Sequence, residues 1–318
     1  MLQYIVSNQT NPYLNVAVEN HLLSLPERDT VTLYLWKNRR TVVIGMNQNP
    51  FSECNVEALE ADGGYLMRRR TGGGAVYHDD GNLNFSFIVP KSLYDLRRQF
   101  SVLQRAVETF GIRTELSGRN DVLADGRKFS GNAFSKAKYQ DLHHGTILIR
   151  GNMDDLQRYL KPKPAKLMKH GVSSVQSRVV NLADLNPDIT PDTIAPRLVE
   201  AFEQEYGAKA TLLDFGSVTE RPDVQERFAE FASPQWKYGS WRTFTAQRSG
   251  QFDWGGVELA LKVDDGTIRE VQLASDALDL AALDTARALL IGASAAEVPQ
   301  HDPDPIVDDI LTLAYSPE

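Results

Sequence analysis

An α+β fold follows from two observations on this 318-residue chain. Strand-like segments arrive as hairpins, and helical segments fall between them at uneven intervals; a doubly wound parallel sheet would need regular alternation. A second, smaller group of such segments follows a boundary near Trp241–Gly250, and the stretch before that boundary reads as aromatic and irregular. The expected division is therefore residues 1–244 and a small α+β unit at 245–318, which suits ~150 residues per domain.

The elements follow in order. Asn15–Leu25 places Val18, Leu22 and Leu25 at helical spacing before Pro26, which predicts an amphipathic helix ended by the proline. Val31–Trp36 and Thr41–Gly45 read as strands joined by a polar turn, and Tyr65–Arg69 and Ala75–His78 as two short strands around a glycine loop. Asn82–Val89 alternates like a strand and stops at Pro90, and Leu93–Phe110 is a helix closed by Gly111. Asp125-Gly126 predicts a tight hairpin between Asp121–Ala124 and Arg127–Phe129. Thr146–Ile149 is a further strand; Asp154–Leu160 and Ile194–Tyr206 are helices. In the C-terminal unit, Phe252–Val263 and Thr267–Ala274 flank a second Asp-Gly turn, and Leu278–Ile291 is an Ala/Leu helix. No internal repeat is present.

Composition narrows the function. The net charge of −8 argues against sequence-independent nucleic-acid binding, which needs a basic face. No apolar run is long enough to span a bilayer, and Met1-Leu2-Gln3-Tyr4 does not read as a secretory signal. Cys54 is the single cysteine, so no intramolecular disulfide can form. These features predict a cytoplasmic protein.

The most informative stretch is Arg68-Arg69-Arg70-Thr71-Gly72-Gly73-Gly74-Ala75-Val76-Tyr77-His78-Asp79. Glycines let backbone N–H groups approach an anion, and arginines bind phosphate or carboxylate oxygens in pairs. The loop is not a P-loop, because no Gly-Lys-Ser/Thr follows, nor a dinucleotide fingerprint, because its glycines are contiguous and lead into a strand. A glycine turn beside a solvated basic run is the alternative from these residues alone.

The Arg-Arg pair, two residues and Gly-Gly-Gly-Ala-Val-aromatic-His-Asp resemble the signature loop of lipoate–protein ligases. Further segments match that family in the same order: Asn15–Glu19, Thr41–Gly45, Gln48-Asn49-Pro50, Gly118–Asp121, Arg127–Gly131, His143–Thr146, Gly171–Val175 and Ser177–Val179. The resemblance implies a biotin/lipoate ligase-type mixed β-sheet flanked by helices, with a small α+β C-terminal domain. It implies a cytoplasmic enzyme that joins lipoate to AMP using ATP and Mg²⁺. The lipoyl group would then pass to a lysine on lipoyl domains of α-keto acid dehydrogenase acyltransferase subunits or on the glycine-cleavage H protein.

Such chemistry sets a carboxylate against an α-phosphate, so the site needs fixed positive charge. Lys128 by position alone reads as an exposed hairpin lysine; the resemblance places it at the family's catalytic lysine, contacting both ATP and lipoate. Arg69 is expected on the nucleotide, with Gly74, Ala75, Val76 and Tyr77 offering backbone groups and walls. Arg70, where the family usually has a small polar residue, reads as an extra solvated charge. Expected lipoate contacts are His78, Val18 and Trp36, with Ile44 as a further wall, although all four also read as core. Asp121 is expected either to hold the metal or to orient Lys128. His143 and His144 would point to opposite faces of a strand and so cannot chelate one ion. Cys54 reads as a small core residue; as a nucleophile it would instead signal an ATP-independent octanoyl or lipoyl transferase. A silent lipoate or acyl-adenylate binder is the other rival. Leu160–Arg178, rich in lysine and proline, is expected to close as a lid over the adenylate.

Overall fold

The computed structural model describes residues 1–26, 29–118, 121–161, 179–239, 246–264, 266–295 and 301–316. The expected lid beyond residue 161, the 244/245 boundary and the Gly171–Val175 motif lie outside the described residues.

An eight-stranded mixed sheet forms the centre. Its strands are β1 (Leu2–Val6), β2 (Val31–Trp36), β6 (Asn82–Pro90), β7 (Thr114–Ser117), β8 (Asp121–Ala124), β9 (Arg127–Lys136), β10 (Gln140–Leu148) and β11 (Ala210–Leu212). Their spatial order is β11-β1-β2-β6-β10-β9-β8-β7, with β1 parallel to both neighbours and the later pairs antiparallel. Strands β2 and β6 are buried throughout. The reason is that both faces are covered, so alternate residues enter different cores. Leu33, Leu35, Phe85 and Phe87 pack under helix α4 (Leu96–Glu108) and the helix Pro191–Tyr206. Tyr34, Trp36 and Ile88 face α1 (Pro12–Ser24) and the helix Pro222–Ala232.

A second sheet, in the order β4-β3-β5, carries the glycine loop. Here β3 (Thr41–Ile44) runs parallel to β4 (Tyr65–Arg68) and antiparallel to β5 (Val76–His78). The two strands around the loop therefore do not pair with each other; β3 separates them. Between β3 and β4 lie two short helices, α2 (Pro50–Glu53) and α3 (Val56–Ala61). Strands β2 and β3 are consecutive but belong to different sheets, because the Lys37–Arg40 link turns the chain away rather than closing a hairpin.

The C-terminal residues form a three-stranded sheet, β12 (Ala246–Phe252), β13 (Gly255–Asp264) and β14 (Thr267–Ser275), under the helices Leu280–Leu290 and Pro305–Ala314. Sequence reading had one hairpin and one helix there. It missed β12 because Ala246–Phe252 is rich in polar residues, and it missed Pro305–Ala314. The stretch before this unit is not irregular either: Pro222–Ala232 and Pro234–Tyr238 are helices, each started by a proline in its first turn. Helix α1 is not amphipathic as expected. It is buried along most of its length, including Asn15, Glu19, Asn20 and His21.

Two glycines on adjacent strands let the site exist. At Gly145 a Cβ would meet the Gly131 carbonyl oxygen at 2.6 Å, Asn132 Oδ1 at 2.7 Å and Phe85 Cζ at 2.8 Å. All three sit on backbone or packed side chains and cannot yield cheaply. Gly145→Ala should therefore lower stability by about 1–3 kcal/mol, the range for overpacking. Urea denaturation checks this; an unchanged midpoint would contradict the tight strand packing.

Candidate active site

The β8–β9 hairpin builds the cationic end of the site. Asp125 and Gly126 both have positive φ, 51° and 70°, as a two-residue type I′ turn requires. The ladder then slips: Leu123 pairs with Lys128, but Val122 pairs with Ser130 and Asp121 with Gly131. Phe129 is thus an extra residue, a bulge that re-aims its neighbours. In a regular strand Lys128 would share a face with Ser130; after the bulge it lies over Gly131. A Cβ on Gly131 would stand 2.9 Å from Lys128 Nζ, so the glycine leaves room for the ammonium. Beyond it, Lys128 Nζ meets Asp121 Oδ1 at 2.7 Å. Lys128 therefore reaches past Gly131 on its own strand to the Asp121 carboxylate, with about a third of its side chain exposed.

The glycine loop is organised from inside by Arg69. Its Nη2 donates to the Gly72 carbonyl (2.7 Å) and the Gly74 carbonyl (2.9 Å), Nε donates to Thr71 Oγ1 (3.0 Å) and Gly72 O (3.2 Å), and Nη1 donates to Val43 O (3.3 Å). Burial pulls its pKa down to about 10, opposed by Glu19, so it remains charged at neutral pH. The Gly72 and Gly74 carbonyls turn inward to this fork. Among the described residues nothing accepts from the Gly74 and Ala75 amides. Gly73 has φ 91°, open to glycine without strain. At Gly45 a Cβ would meet the Gly73 carbonyl oxygen at 2.3 Å, so the loop also packs against bare backbone.

The other arginines are not free to bind anions. Arg68 donates to the carbonyls of Gly45, Met46, Gln48, Trp236 and Lys237, stapling β4 to the helix that precedes the C-terminal unit. Arg70 is not a loose solvated charge: it makes a two-pronged contact with Glu230 at 3.0 and 2.9 Å and lies over the Trp236 ring at 4.9 Å.

Lys128 and the loop open into one cavity of about 840 Å³. Arg69, Gly73, Gly74, Ala75 and Val76 form one wall, and Lys128, Gly131, Asn132 and Thr146 form another. Trp36, Val16 and Val43 make an apolar wall; Glu19, His78, Asn84 and His144 are its polar members. Phe252, Trp254 and Leu278 reach in from the C-terminal unit. That unit also grips the loop: Gly73 N–H donates to Ala277 O at 3.3 Å, and a Cβ at Gly72 would lie 2.4 Å from the same oxygen.

Sequence-named residues fall on both sides of this wall. Lys128, Arg69, Gly74, Ala75, Val76, His78 and Trp36 line the cavity. Tyr77, one residue off in a strand, points away and donates to Asp155. Val18 is fully buried in the α1 core, and Val16 lines the cavity in its place. Ile44 packs with Cys54, Leu66 and Tyr159, away from the cavity. Cys54 belongs to the same cluster, and burial pushes its thiol up to about 12; such a thiol is not a nucleophile at neutral pH. His143 and His144 do diverge. His143 lies among Phe87, Phe100 and Phe134, but His144 faces the cavity. Asp121 holds Lys128, and among the described residues no three His, Cys, Asp or Glu side chains gather to hold a metal ion.

Residues 11–203 match the lipoyl protein ligase A/B catalytic domain, and residues 242–297 match the bacterial lipoate protein ligase C-terminus. The chain belongs to the lipoate–protein ligase family. Lipoate-protein ligase A of Psychrobacter cryohalolentis is 40% identical over 290 residues, 89% of this chain and 86% of that protein. A crystal structure of P. falciparum LipL1 in complex with lipoate is 31% identical, with a TM-score of 0.81 over 93% of this chain and 92% of that one. A bi-partite archaeal lipoate protein ligase from Thermoplasma acidophilum, described with its E2 lipoyl domain, is 24% identical; its TM-score of 0.65 over 77% of this chain and 98% of that one shows the shared fold. The sequence reading of the ligase is thereby borne out in family, fold class and enzyme type. No helix of the described residues is long and apolar enough to cross a membrane.

Glu19, Thr71, Asn84 and His144 are cavity or loop residues that sequence reasoning did not assign. A signal for Glu19 existed: a carboxylate inside Val16-Ala17-Val18-Glu19-Asn20-His21-Leu22 has no solvent face when the helix is apolar on its other sides.

The buried histidines give a pH signature. His78 is pulled down to about 3, first by burial and then by Arg69 and His144; His143 is lowered well below the usual range, again first by burial. Both are neutral in the fold and bind a proton more readily when unfolded. Stability should therefore fall as pH drops from 7 to 5, by up to ~1.4 kcal/mol per pH unit per histidine below pH 6.5. Urea melts across that range check it; a flat profile would contradict neutral burial.

Proposed function

We propose that this ligase activates lipoate with ATP in the cavity between Lys128 and the glycine loop, then passes the acyl group to a protein lysine. The observation that carries the reading is Lys128, held by Asp121 over Gly131 in the same cavity as the open Gly74 and Ala75 amides. A cation and free backbone amides lining one cavity suit two anions that must meet.

In the first step a lipoate carboxylate oxygen attacks the α-phosphorus and pyrophosphate leaves. Lys128 lies between the two anions and offsets their repulsion; Gly74 and Ala75 donate to phosphate oxygens; Arg69 fixes those donors and contributes its charge from behind the loop. In the second step a neutral lysine amine of the acceptor attacks the acyl carbonyl. Lys128 stabilises the oxyanion, the amine's proton is lost, and AMP leaves with the electron pair of the broken C–O bond. The apolar wall at Trp36, Val16 and Val43 takes the alkyl chain and ring, with His78 beside it.

Magnesium would ride on the nucleotide's phosphates, since Mg²⁺ keeps few protein ligands, with Asp121 as the carboxylate beside Lys128, and would neutralise phosphate charge. Acceptors are lipoyl domains of α-keto acid dehydrogenase acyltransferase subunits and the glycine-cleavage H protein, and the cytoplasm is the place of action. We retain 1–244 as the catalytic domain and 245–318 as an accessory domain. The buried, unreactive Cys54 disfavours a thioester transferase.

Incubation with MgATP and lipoate should give lipoyl-AMP by mass spectrometry, and a lipoylated acceptor when one is supplied. Lys128→Ala should fold normally and lose two to three decades in rate, about 3–4 kcal/mol of transition-state stabilisation. Wild-type turnover in that variant would overturn Lys128's role, and absence of lipoyl-AMP from the wild type would overturn the reading.

A further inference from the structure

A continuous chain of buried hydrogen bonds joins the apolar wall of the cavity to the glycine loop. Trp36 Nε1–H donates to Ser86 Oγ (3.0 Å), and Ser86 Oγ–H donates to Glu19 Oε1 (2.5 Å). His144 Nδ1 lies 2.8 Å from the same Glu19 oxygen, and His144 Nε2 lies 2.9 Å from Thr71 Oγ1. Thr71 Oγ1 in turn accepts from Arg69 Nε, and Arg69 holds the carbonyls of Gly72 and Gly74. Every side chain in the chain is buried.

One proton assignment satisfies every link. Arg69 donates to Thr71, Thr71 donates to Nε2 of His144, and His144 donates through Nδ1–H to Glu19. The Glu19 carboxylate is then the counter-charge of the Arg69 guanidinium, three links away. In a low-dielectric interior a break in such a chain leaves a buried donor or acceptor unpaired. The chain also spans two functions. Trp36, Glu19 and His144 line the acyl part of the cavity, whereas Thr71 and Arg69 set the loop that carries the phosphate donors.

Resting on the ligase reading, we propose that Thr71 and His144 are positioning residues that couple occupancy of the acyl site to the nucleotide affinity of the glycine loop. An acyl chain packed against Trp36 and His144 fixes their orientation. That fixes Glu19 and Thr71, and through Thr71 the Arg69 fork that shapes the loop. A ligand that selects one arrangement of a shared element raises the affinity of the second ligand for that arrangement.

Calorimetry at fixed salt, with a non-hydrolysable ATP analogue and with or without saturating lipoate, reads the coupling as a ratio of affinities. The wild type should bind the analogue at least fivefold tighter with lipoate present, the lower end of ordinary coupling. Thr71→Val keeps the shape but removes the hydroxyl, and should bring the ratio to about one. Thr71→Ser should retain it, which a role in packing alone would not explain. If Thr71→Val does not fold, His144→Phe breaks the same chain and should give the same loss. A wild-type ratio of one, or an unchanged ratio in the folded Thr71→Val or His144→Phe variant, would overturn the coupling. That outcome leaves the ligase reading intact as long as the wild type binds both ligands; failure to bind either would overturn the ligase reading and this proposal together.

Discussion

A buried guanidinium holds this site together. Arg69 lies beneath the glycine loop with its N–H groups spent on Thr71, Gly72, Gly74 and Val43. Taking such a cation out of water costs several kcal/mol, and hydrogen bonds to a charged group return roughly 1.5–3 kcal/mol each. The balance is favourable only if the Gly72 and Gly74 carbonyls point inward. Once they do, the peptide units are oriented, and the amides of Gly74 and Ala75 are left for a ligand. Arg69 claims the inner side of the loop, and Gly73, Gly74 and Ala75 line the cavity on its other side. By contrast Arg70, half-exposed against Glu230, contributes little of this kind.

The scaffold brings the other half of the chemistry to the same place. The bulge at Phe129 turns Lys128 over Gly131, and the central sheet carries that face past Thr146 and Asn84 to Trp36 through adjacent strands. Strand spacing of ~4.8 Å makes this a cross-sheet track from cation to apolar wall. The second sheet then lays the glycine loop over the track, and the C-terminal unit closes around it through Ala277, Leu278 and Trp254. Rigid strands, rather than loops, thus fix most of the spacing between Lys128 and the apolar wall of the cavity.

Local signals carried far. Asp125-Gly126 marked the hairpin and so the place of Lys128; Gly72-Gly73-Gly74 between two short strand patterns marked the loop. What stayed hidden depends on partners distant in sequence. The arginines read as anion-binding groups because their chemistry allows it, but Arg68 meets carbonyls 168 and 169 residues away. His144 was not assigned to the site because strand geometry says only that it opposes His143, not which face borders a cavity. Val18 was named in place of Val16 because helical spacing gives a face only when one side is wet, and α1 is covered almost all round. Polar β12 gave no apolar alternation to read.

The most direct test of this account is amide hydrogen exchange of the ligand-free protein in peptides covering Thr71–Tyr77, comparing wild type with Arg69→Lys. Lysine keeps the charge but lacks the planar fork. If the fork shapes the loop, these amides should exchange markedly faster in the variant while the central strands β2 and β6 stay as protected as before. Identical exchange across Thr71–Tyr77 would show that the loop holds its form without Arg69.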